Sequence, residues 1–161
     1  TKSQNNKLNL KKICLNHVIE NIKADLRILI EQKNVQVLHG TLPEIIADEM
    51  LIARVLQNLI HNGIKFNLNQ PKIEISYEAG INFVILKVKD NGVGIPKEHI
   101  SRIYEPFVRL QNGHNFEGSG VGLTIVKRII ERHNGKISVK SDHNGSQFEI
   151  ILPHQLNFKE I

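Results

Sequence analysis

The sequence predicts an α/β two-layer sandwich in which a mixed, mostly antiparallel sheet packs on about three helices. Three segments repeat apolar residues with the period of an amphipathic helix: 11–33, 49–66 and the residues that follow Gly122. Four segments alternate apolar and polar residues and pair across short turns as hairpins: 72–79 with 81–89, and 136–141 with 146–152. Because the helices and hairpins come in blocks rather than in strict strand–helix alternation, the pattern favours a layered sheet of mixed direction.

Shorter elements complete this plan. Residues 8–10 and 35–37 are predicted to be short strands, and residues 97–104 a short helix. Asp48 is expected to cap the helix 49–66, since an aspartate oxygen accepts hydrogen bonds from the free N–H groups of a first turn. The last helix is expected to end at the Asn-Gly pair that follows it.

The composition indicates one domain without a membrane span. The chain has 161 residues, of which 40% are hydrophobic, and this is enough for a single core. No apolar run approaches the roughly 20 residues that cross a bilayer, so no membrane insertion is expected. The single cysteine, Cys14, excludes an internal disulfide, favours a reducing compartment and is expected to be buried on the helix 11–33. The net charge of +5 is scattered and aromatic residues make up only 5%, which argues against nucleic-acid binding.

Gly118, Gly120 and Gly122 alternate directly before the last helix. A glycine-rich loop that leads into a helix presents free backbone N–H groups and the positive end of the helix dipole, and both favour a phosphate group. The spacing matches neither the P-loop nor the dinucleotide-binding pattern. A tight turn without a ligand is the alternative interpretation of these glycines alone.

Asn58, Asn62 and Lys65 share one face of the helix 49–66, because they are spaced i, i+4 and i+7. Asparagine is a mediocre helix former, so two on one face need a reason. One interpretation is a solvent-exposed face. The other is a row of amides and a cation directed at a polyanion, where a neutral amide oxygen suits Mg²⁺ whose negative ligands are phosphates.

Asp90 follows the predicted strand 81–89 and precedes Gly92 and Gly94. Such a carboxylate can cap a turn, or it can accept a hydrogen bond from a ligand in a pocket that the glycines keep open. The polar residues 108–117 have no apolar period and are predicted to form a mobile loop.

These features stand in one order along the chain. The matching stretches are 58–66 (NLIHNGIKF), 90–96 (DNGVGIP), 104–109 (YEPFVR) and 118–123 (GSGVGL). In this order and spacing they resemble the ATP-binding catalytic domain of sensor histidine kinases, which has the Bergerat fold. That domain belongs to the GHKL superfamily, with the ATPases of gyrase, heat-shock chaperones and mismatch repair. The resemblance extends from residue 8 to residue 152.

The resemblance implies a site for ATP and Mg²⁺. Asp90 would accept a hydrogen bond from the adenine amino group, which the carbonyl of guanine cannot offer. Asn62 would hold Mg²⁺ with Asn58 beside it, and the alternating glycines would line the triphosphate. The residues expected to bind the nucleotide are Asn58, Asn62, Lys65, Asp90, Gly92, Gly94, Ile95, Phe107, Gly118, Ser119, Gly120, Val121, Gly122 and Leu123.

The resemblance also implies that Asn58, Lys65 and Arg109 are catalytic. Lys65 would contact the phosphates, Arg109 would reach the γ-phosphate, and Phe107 would anchor the base of a lid that closes over ATP. The hydrolases of the superfamily carry a glutamate at the position of Asn58, where it activates water. Asparagine cannot take that proton at neutral pH, so transfer to a side chain is expected instead of hydrolysis.

The implied function is therefore transfer of the ATP γ-phosphate to a histidine on a separate dimerisation domain of a two-component kinase. A response regulator would be an indirect partner. One alternative is a nucleotide-sensing module that binds ATP or ADP without transfer. Another is an ATP-driven clamp, which Asn58 disfavours.

The expected division of the chain is a linker remnant of an upstream helical domain at 1–7, the ATP-binding catalytic domain at 8–154, and a tail at 155–161. His17 lacks the acidic neighbour of a phospho-accepting histidine, so it is expected to be structural. Where the family often has a threonine near the adenine, this chain is interpreted as having Gln147. The domain is expected to be monomeric and cytoplasmic.

Overall fold

The computed structural model describes residues 7–109, 116 and 118–154. The strands are β1 Leu10–Cys14, β2 Gln36–His39, β3 Glu44–Asp48, β4 Lys72–Ala79, β5 Phe83–Asp90, β6 Lys136–Asp142 and β7 Gly145–Pro153. The α-helices are α1 Leu15–Asp25, α2 Arg27–Gln32, α3 Glu49–Lys65 and α4 Gly122–Arg132, and a 3-10 helix spans Lys97–Arg102.

Five strands form one sheet in the order β2-β4-β5-β7-β6. β2 runs parallel to β4, and the other neighbours are antiparallel. Residues at alternate positions of the central strands are buried: Ile73, Ile75, Val84, Leu86, Val88, Phe148, Ile150 and Leu152. Helices α3 and α4 pack on this face and α1 packs on α3. The predicted two-layer sandwich with a mixed, mostly antiparallel sheet is confirmed, and so are both hairpins.

The start of the chain differs from the prediction of one helix over 11–33. Residues 10–14 form β1, which pairs antiparallel with the unpredicted strand β3, and the helix that follows is broken at Leu26. Ile13 lies on β1 and is buried there. Because its distance in sequence from the buried residues of α1 fits a helical period, the strand and the helix together resemble one continuous amphipathic helix. Cys14, at the end of β1, is exposed, so its predicted burial on a helix is wrong.

Asp48 caps α3 as predicted, with its Oδ1 accepting from the Leu51 N–H at 3.2 Å. Its Oδ2 accepts from the Asn9 N–H at 3.0 Å, so one carboxylate joins the chain before β1 to the first turn of α3. The backbone of Asp48 donates to Nε2 of the buried His133 at 3.1 Å, and His133 Nδ1 donates to the Ile129 carbonyl at 2.8 Å. These bonds fix the start of α3 against the end of α4.

The short helix predicted at 97–104 is the 3-10 helix, and α4 begins at Gly122, directly after the glycine-rich segment. None of the helices in the described part of the chain is long and apolar enough to cross a membrane.

Candidate functional site

A cavity of about 920 Å³ opens between α3, the end of β5, the start of α4 and β7. Most of the predicted site residues line it together: Asn58, Asn62, Lys65, Asp90, Gly94, Ile95, Arg109, Gly118, Ser119, Gly120, Gly122 and Leu123. Four motifs that are far apart in the sequence therefore meet around one space. This arrangement favours a ligand site over a solvent-exposed helix face and an isolated tight turn.

The two asparagines of α3 face this cavity in different ways. Asn58 Nδ2 donates to the Arg54 carbonyl at 3.0 Å, which fixes the orientation of the amide. Its Oδ1 lies toward the start of α4, since a β-carbon on Gly122 would be 3.2 Å from it. The Asn62 side chain makes no hydrogen bond to the residues that the structure describes, so its amide is available to a ligand.

Lys65 brings a positive charge to the glycine-rich segment. A β-carbon on Gly118 would overlap its Nζ, so the absence of a side chain there lets the ammonium lie against the backbone. The same Nζ is 4.7 Å from the centre of the Phe66 ring, and the Phe66 and Phe116 rings meet edge to face at 5.1 Å. A cation beside a glycine-rich segment that leads into a helix is suited to a phosphate chain.

Asp90, the last residue of β5, also lines the cavity. Its Oδ1 accepts from the Gly92 N–H at 2.8 Å and from the Ser146 N–H at 3.2 Å. Burial raises the pKa of this carboxyl group, and the two backbone hydrogen bonds oppose that shift without cancelling it. Within the described residues both bonds end on Oδ1, which leaves Oδ2 to accept from a donor on a ligand.

The two glycines after Asp90 have different surroundings. Gly94 lines the cavity with a φ of +75°, and a β-carbon there would overlap the Asp142 carbonyl oxygen. Gly92 is buried outside the lining, where a β-carbon would overlap the Phe66 carbonyl oxygen. Gly92 therefore permits contact between the loop and the end of α3, rather than leaving space for a base as expected.

Phe107 and Val121 are also outside the cavity lining. The Phe107 side chain is 77% exposed, and the lid that it is expected to anchor falls largely outside the described residues. Its backbone does connect two segments, because its N–H donates to the Gly120 carbonyl at 3.0 Å. Val121 directly precedes α4.

The predicted loop 108–117 falls largely outside the described residues. Of its described members, Arg109 lines the cavity and donates from Nη2 to the Phe116 carbonyl at 2.6 Å. The guanidinium group is thus held at the wall of the cavity by this bond.

Some lining residues were missed by the sequence interpretation, notably Ser146 and Phe148 on β7, and His61 on α3. The side chain of Gln147 faces the other side of the sheet, where Nε2 donates to Glu149 Oε1 at 2.9 Å. The hydroxyl group near Asp90 is therefore that of Ser146. The alternation of residues along β7 could have predicted this, because Ser146 lies on the same face of the strand as the buried residues Phe148 and Ile150.

His61 adds a titratable group on the same face of α3. Burial lowers the pKa of its imidazole, and the positive charges of Lys65 and Lys33 lower it further. The His61 imidazole therefore takes up a proton less readily than a free histidine side chain does.

The donor set fits Mg²⁺ that is held largely by a ligand. No group of three or more His, Cys, Asp or Glu side chains that would hold a metal occurs in the described part of the chain. Asn62 offers one neutral oxygen on the face that Lys65 shares. Mg²⁺ is commonly bound by one or two protein oxygens, substrate phosphates and water, so these residues fit the ion only together with a polyphosphate.

Comparison with known proteins gives the same picture. Residues 47–156 match the family model described as "Histidine kinase-, DNA gyrase B-, and HSP90-like ATPase". The phytochrome-like protein Cph1 of Synechocystis sp. (strain ATCC 27184 / PCC 6803 / Kazusa) is 37% identical over 84% of this chain. The sensor protein RprX of Bacteroides fragilis (strain YCH46) is 33% identical over 91% of it. The chain spans only 18% of Cph1 and 30% of RprX.

Solved structures support the same assignment. The catalytic domain of histidine kinase ThkA in a nucleotide-free form has a TM-score of 0.79 and 28% identity, covering 91% of this chain and 99% of that domain. ThkA in complex with the response regulator protein TrrA has a TM-score of 0.74 and 27% identity, covering 91% of this chain and 42% of that one. From the family match, the fold and the assembled cavity together, the chain belongs to the histidine kinase-, DNA gyrase B- and HSP90-like ATPase family.

Proposed function

We propose that this chain is the Mg·ATP-binding catalytic domain of a sensor histidine kinase, and that it transfers the γ-phosphate to a histidine on a separate dimerisation domain. The observation that carries the proposal is the convergence on one cavity of the α3 amides, the strand-end carboxylate of Asp90 and the glycine-rich start of α4. These groups suit the two ends of ATP, a base with an exocyclic amine and a chain of phosphates.

In this proposal the adenine lies against β5 and β7. The carboxylate of Asp90 accepts from the 6-amino group through Oδ2, since Oδ1 is already held by two backbone N–H groups. The phosphates extend toward Gly118 and Gly122, with Lys65 Nζ beside the first of them. Asn62 supplies an amide oxygen to Mg²⁺, which when bound neutralises charge on the phosphates.

The chemistry of the lining favours transfer over hydrolysis. Among the described residues that line the cavity, Asp90 is the only carboxylate, and it lies at the end assigned to the base. Asn58, at the phosphate end, is an amide that cannot take a proton from water at neutral pH. The incoming imidazole nitrogen therefore attacks the γ-phosphorus, the bond from that phosphorus to the β,γ-bridging oxygen breaks, and ADP leaves.

The partners and the compartment belong to the same proposal. The acceptor histidine lies on a dimerisation domain of the same kinase, and a response regulator receives the phosphoryl group from it. The structure of ThkA with TrrA supports a regulator as the second partner. A cytoplasmic location suits a single cysteine that is exposed and unpaired.

Labelled ATP tests the transfer. The chain is mixed with the dimerisation domain of its own kinase and [γ-³²P]ATP, and the proposal expects an acid-labile, alkali-stable phosphoprotein. The matched control is Asn62→Ala, which should bind nucleotide but transfer poorly. Nucleotide binding without transfer to the native partner would contradict the kinase and support a sensing module, whereas steady hydrolysis by the chain alone would support a clamp.

A further inference from the structure

Two serines face each other across the β6–β7 hairpin next to Asp90. Ser141 and Ser146 are register partners, and their hydroxyl oxygens are 2.8 Å apart. Ser146 is only 7% exposed and lines the cavity, whereas Ser141 lies behind it and does not line it. Ser141 therefore acts on a ligand only through other groups.

Ser141 Oγ is in contact with three hydrogen-bonding groups. The Ile95 N–H donates to it at 2.8 Å, the Gly145 carbonyl lies at 2.9 Å, and the third is the hydroxyl of Ser146. A backbone N–H can only donate and a carbonyl can only accept, whereas a hydroxyl has one proton to give. The contact between the two hydroxyls allows either serine to be the donor. We assign Ser146 as the donor, because Ser141 can then give its own proton to the Gly145 carbonyl and every group in the cluster is satisfied.

This assignment sets what the cavity presents to a base. The Ser146 proton is spent on Ser141, so Ser146 Oγ presents only lone pairs to the cavity. The Ile95 N–H is likewise taken up by Ser141 and cannot donate to a ligand. Beside them, Asp90 accepts without donating while it is ionised. The end of the cavity assigned to the base is therefore a cluster of acceptors.

The backbone around this cluster is closely packed. A β-carbon on Gly145 would overlap the Asp90 carbonyl oxygen, and one on Gly94 would overlap that of Asp142. The hairpin end and the loop after Asp90 thus lie backbone against backbone. The hydroxyl of Ser141 lies between them, where its orientation is constrained from both sides.

We propose that Ser141 is a positioning residue that sets the hydrogen-bond polarity of the site, holding Ser146 as an acceptor beside Asp90 so that a 6-amino purine is preferred over a 6-oxo purine. This inference rests on the proposed ATP-binding function. Without the Ser141 hydroxyl, Ser146 regains a free proton and the Ile95 N–H loses its partner. The freed Ser146 proton is then a donor that a 6-oxo group can use.

The test measures the affinities of ATP and inosine triphosphate for the purified chain by calorimetry. The two nucleotides differ at position 6 of the base, where ATP has an amino group and inosine triphosphate an oxo group. The wild type should prefer ATP. Ser141→Ala should lower the ratio of ATP affinity to inosine triphosphate affinity by about three- to ten-fold. This is the effect expected when one hydrogen-bonding group, Ser146, changes from acceptor to donor. Ser141→Thr keeps the hydroxyl and should restore the ratio.

Ser138→Ala is the matched control, because Ser138 lies on the same strand with its side chain exposed on the other face. It should leave the ratio unchanged. Equal weakening of both nucleotides by Ser141→Ala would show a structural role alone and overturn the proposal. If Ser141→Ala does not fold, Ser146→Ala must lower the ratio in its place, and an unchanged ratio there overturns the proposal too.

Failure of the underlying function gives a different result. If the wild type binds neither ATP nor inosine triphosphate, the nucleotide site itself is wrong. If it binds both and the ratio does not respond to Ser141, only the role of Ser141 is wrong.

Discussion

The ammonium group of Lys65 lies against the backbone of Gly118, in the space that a β-carbon on Gly118 would occupy. The end of α3 and the glycine-rich segment before α4 therefore meet at one cation. A lysine is long and flexible, so the contact depends on the missing side chain rather than on rigid packing.

Gly118→Ala tests this relationship. The flexible end of Lys65 can move aside, so the free energy of unfolding should change by less than about 0.5–1 kcal/mol. ATP affinity should nevertheless fall several-fold in calorimetry, because the cation is displaced from the phosphates. Gly40→Ala is the control, since a β-carbon there meets nothing within 4 Å. Equal ATP affinity in both variants would remove Gly118 from the site.

Asp90→Asn should weaken ATP binding by about 1–3 kcal/mol, because a donor can then face the adenine amine where a carboxylate accepted from it. The fold should persist, since the asparagine oxygen can still accept from the Gly92 and Ser146 N–H groups. Titration calorimetry gives the affinity and urea denaturation the stability. Asp25→Asn, on an exposed residue of α1, is the matched control. Unchanged ATP affinity in Asp90→Asn would exclude the adenine contact.

The same substitution should change how stability depends on pH. Burial raises the pKa of Asp90 in the folded state above its unfolded value. The folded chain then holds the proton more tightly than the unfolded chain does. The contribution of Asp90 to the free energy of unfolding is therefore complete below the unfolded pKa, near 4, and is lost as the pH rises through the folded pKa. The wild type should therefore lose stability relative to Asp90→Asn over that range. A difference in unfolding free energy that stays constant with pH would contradict the raised pKa.

Asn62→Ala should remove most of the dependence of ATP binding on Mg²⁺. The amide is one protein oxygen of the proposed ion site, whereas the contacts to the base lie elsewhere in the cavity. Affinity measured with excess chelator should match the wild type, and the gain on adding Mg²⁺ should be smaller. Asn69→Ala, on an exposed residue beyond α3, should keep the full gain. An undiminished gain in Asn62→Ala would show that the ion is held elsewhere.

His133→Ala should destabilise the fold by about 2–4 kcal/mol in urea denaturation, through a cavity and an unpaired N–H at Asp48. His133 is 2% exposed and bonded on both ring nitrogens. His143→Ala, in the exposed β6–β7 turn, should change stability by less than about 0.5 kcal/mol. Similar stability losses in the two variants would contradict the role of His133 in joining α4 to α3.

The parts of the fold that the sequence predicted well are those that local chemistry decides. The cap at Asp48, the length of α3 and the two hairpins follow from one side chain or from a regular period. The row of Asn58, Asn62 and Lys65 follows from helical spacing alone. That these residues share a cavity with Asp90 came from the order of the motifs, since no period joins them.

What sequence patterns could not give is decided by distant pairing. β1 is a strand because its residues pair with β3, as Leu10 does with Asp48. The partner is far away in the sequence, so the local pattern does not indicate it. The side chain of Ser146 faces the cavity in place of Gln147 because of strand phase, which shifts with a single residue. Phe107 has a φ of +64°, in the left-handed region that aromatic residues seldom adopt, so its backbone conformation could not be predicted from its residue type.

The carboxylate of Asp48 has a mechanical consequence. One oxygen holds the backbone of Asn9 and the other closes the first turn of α3. A force applied at Asn9 would load both hydrogen bonds of the Asp48 carboxylate, and with them the first turn of the helix that carries Asn58 and Asn62. The segment before β1 and the helix that carries the site are therefore mechanically coupled through one carboxylate.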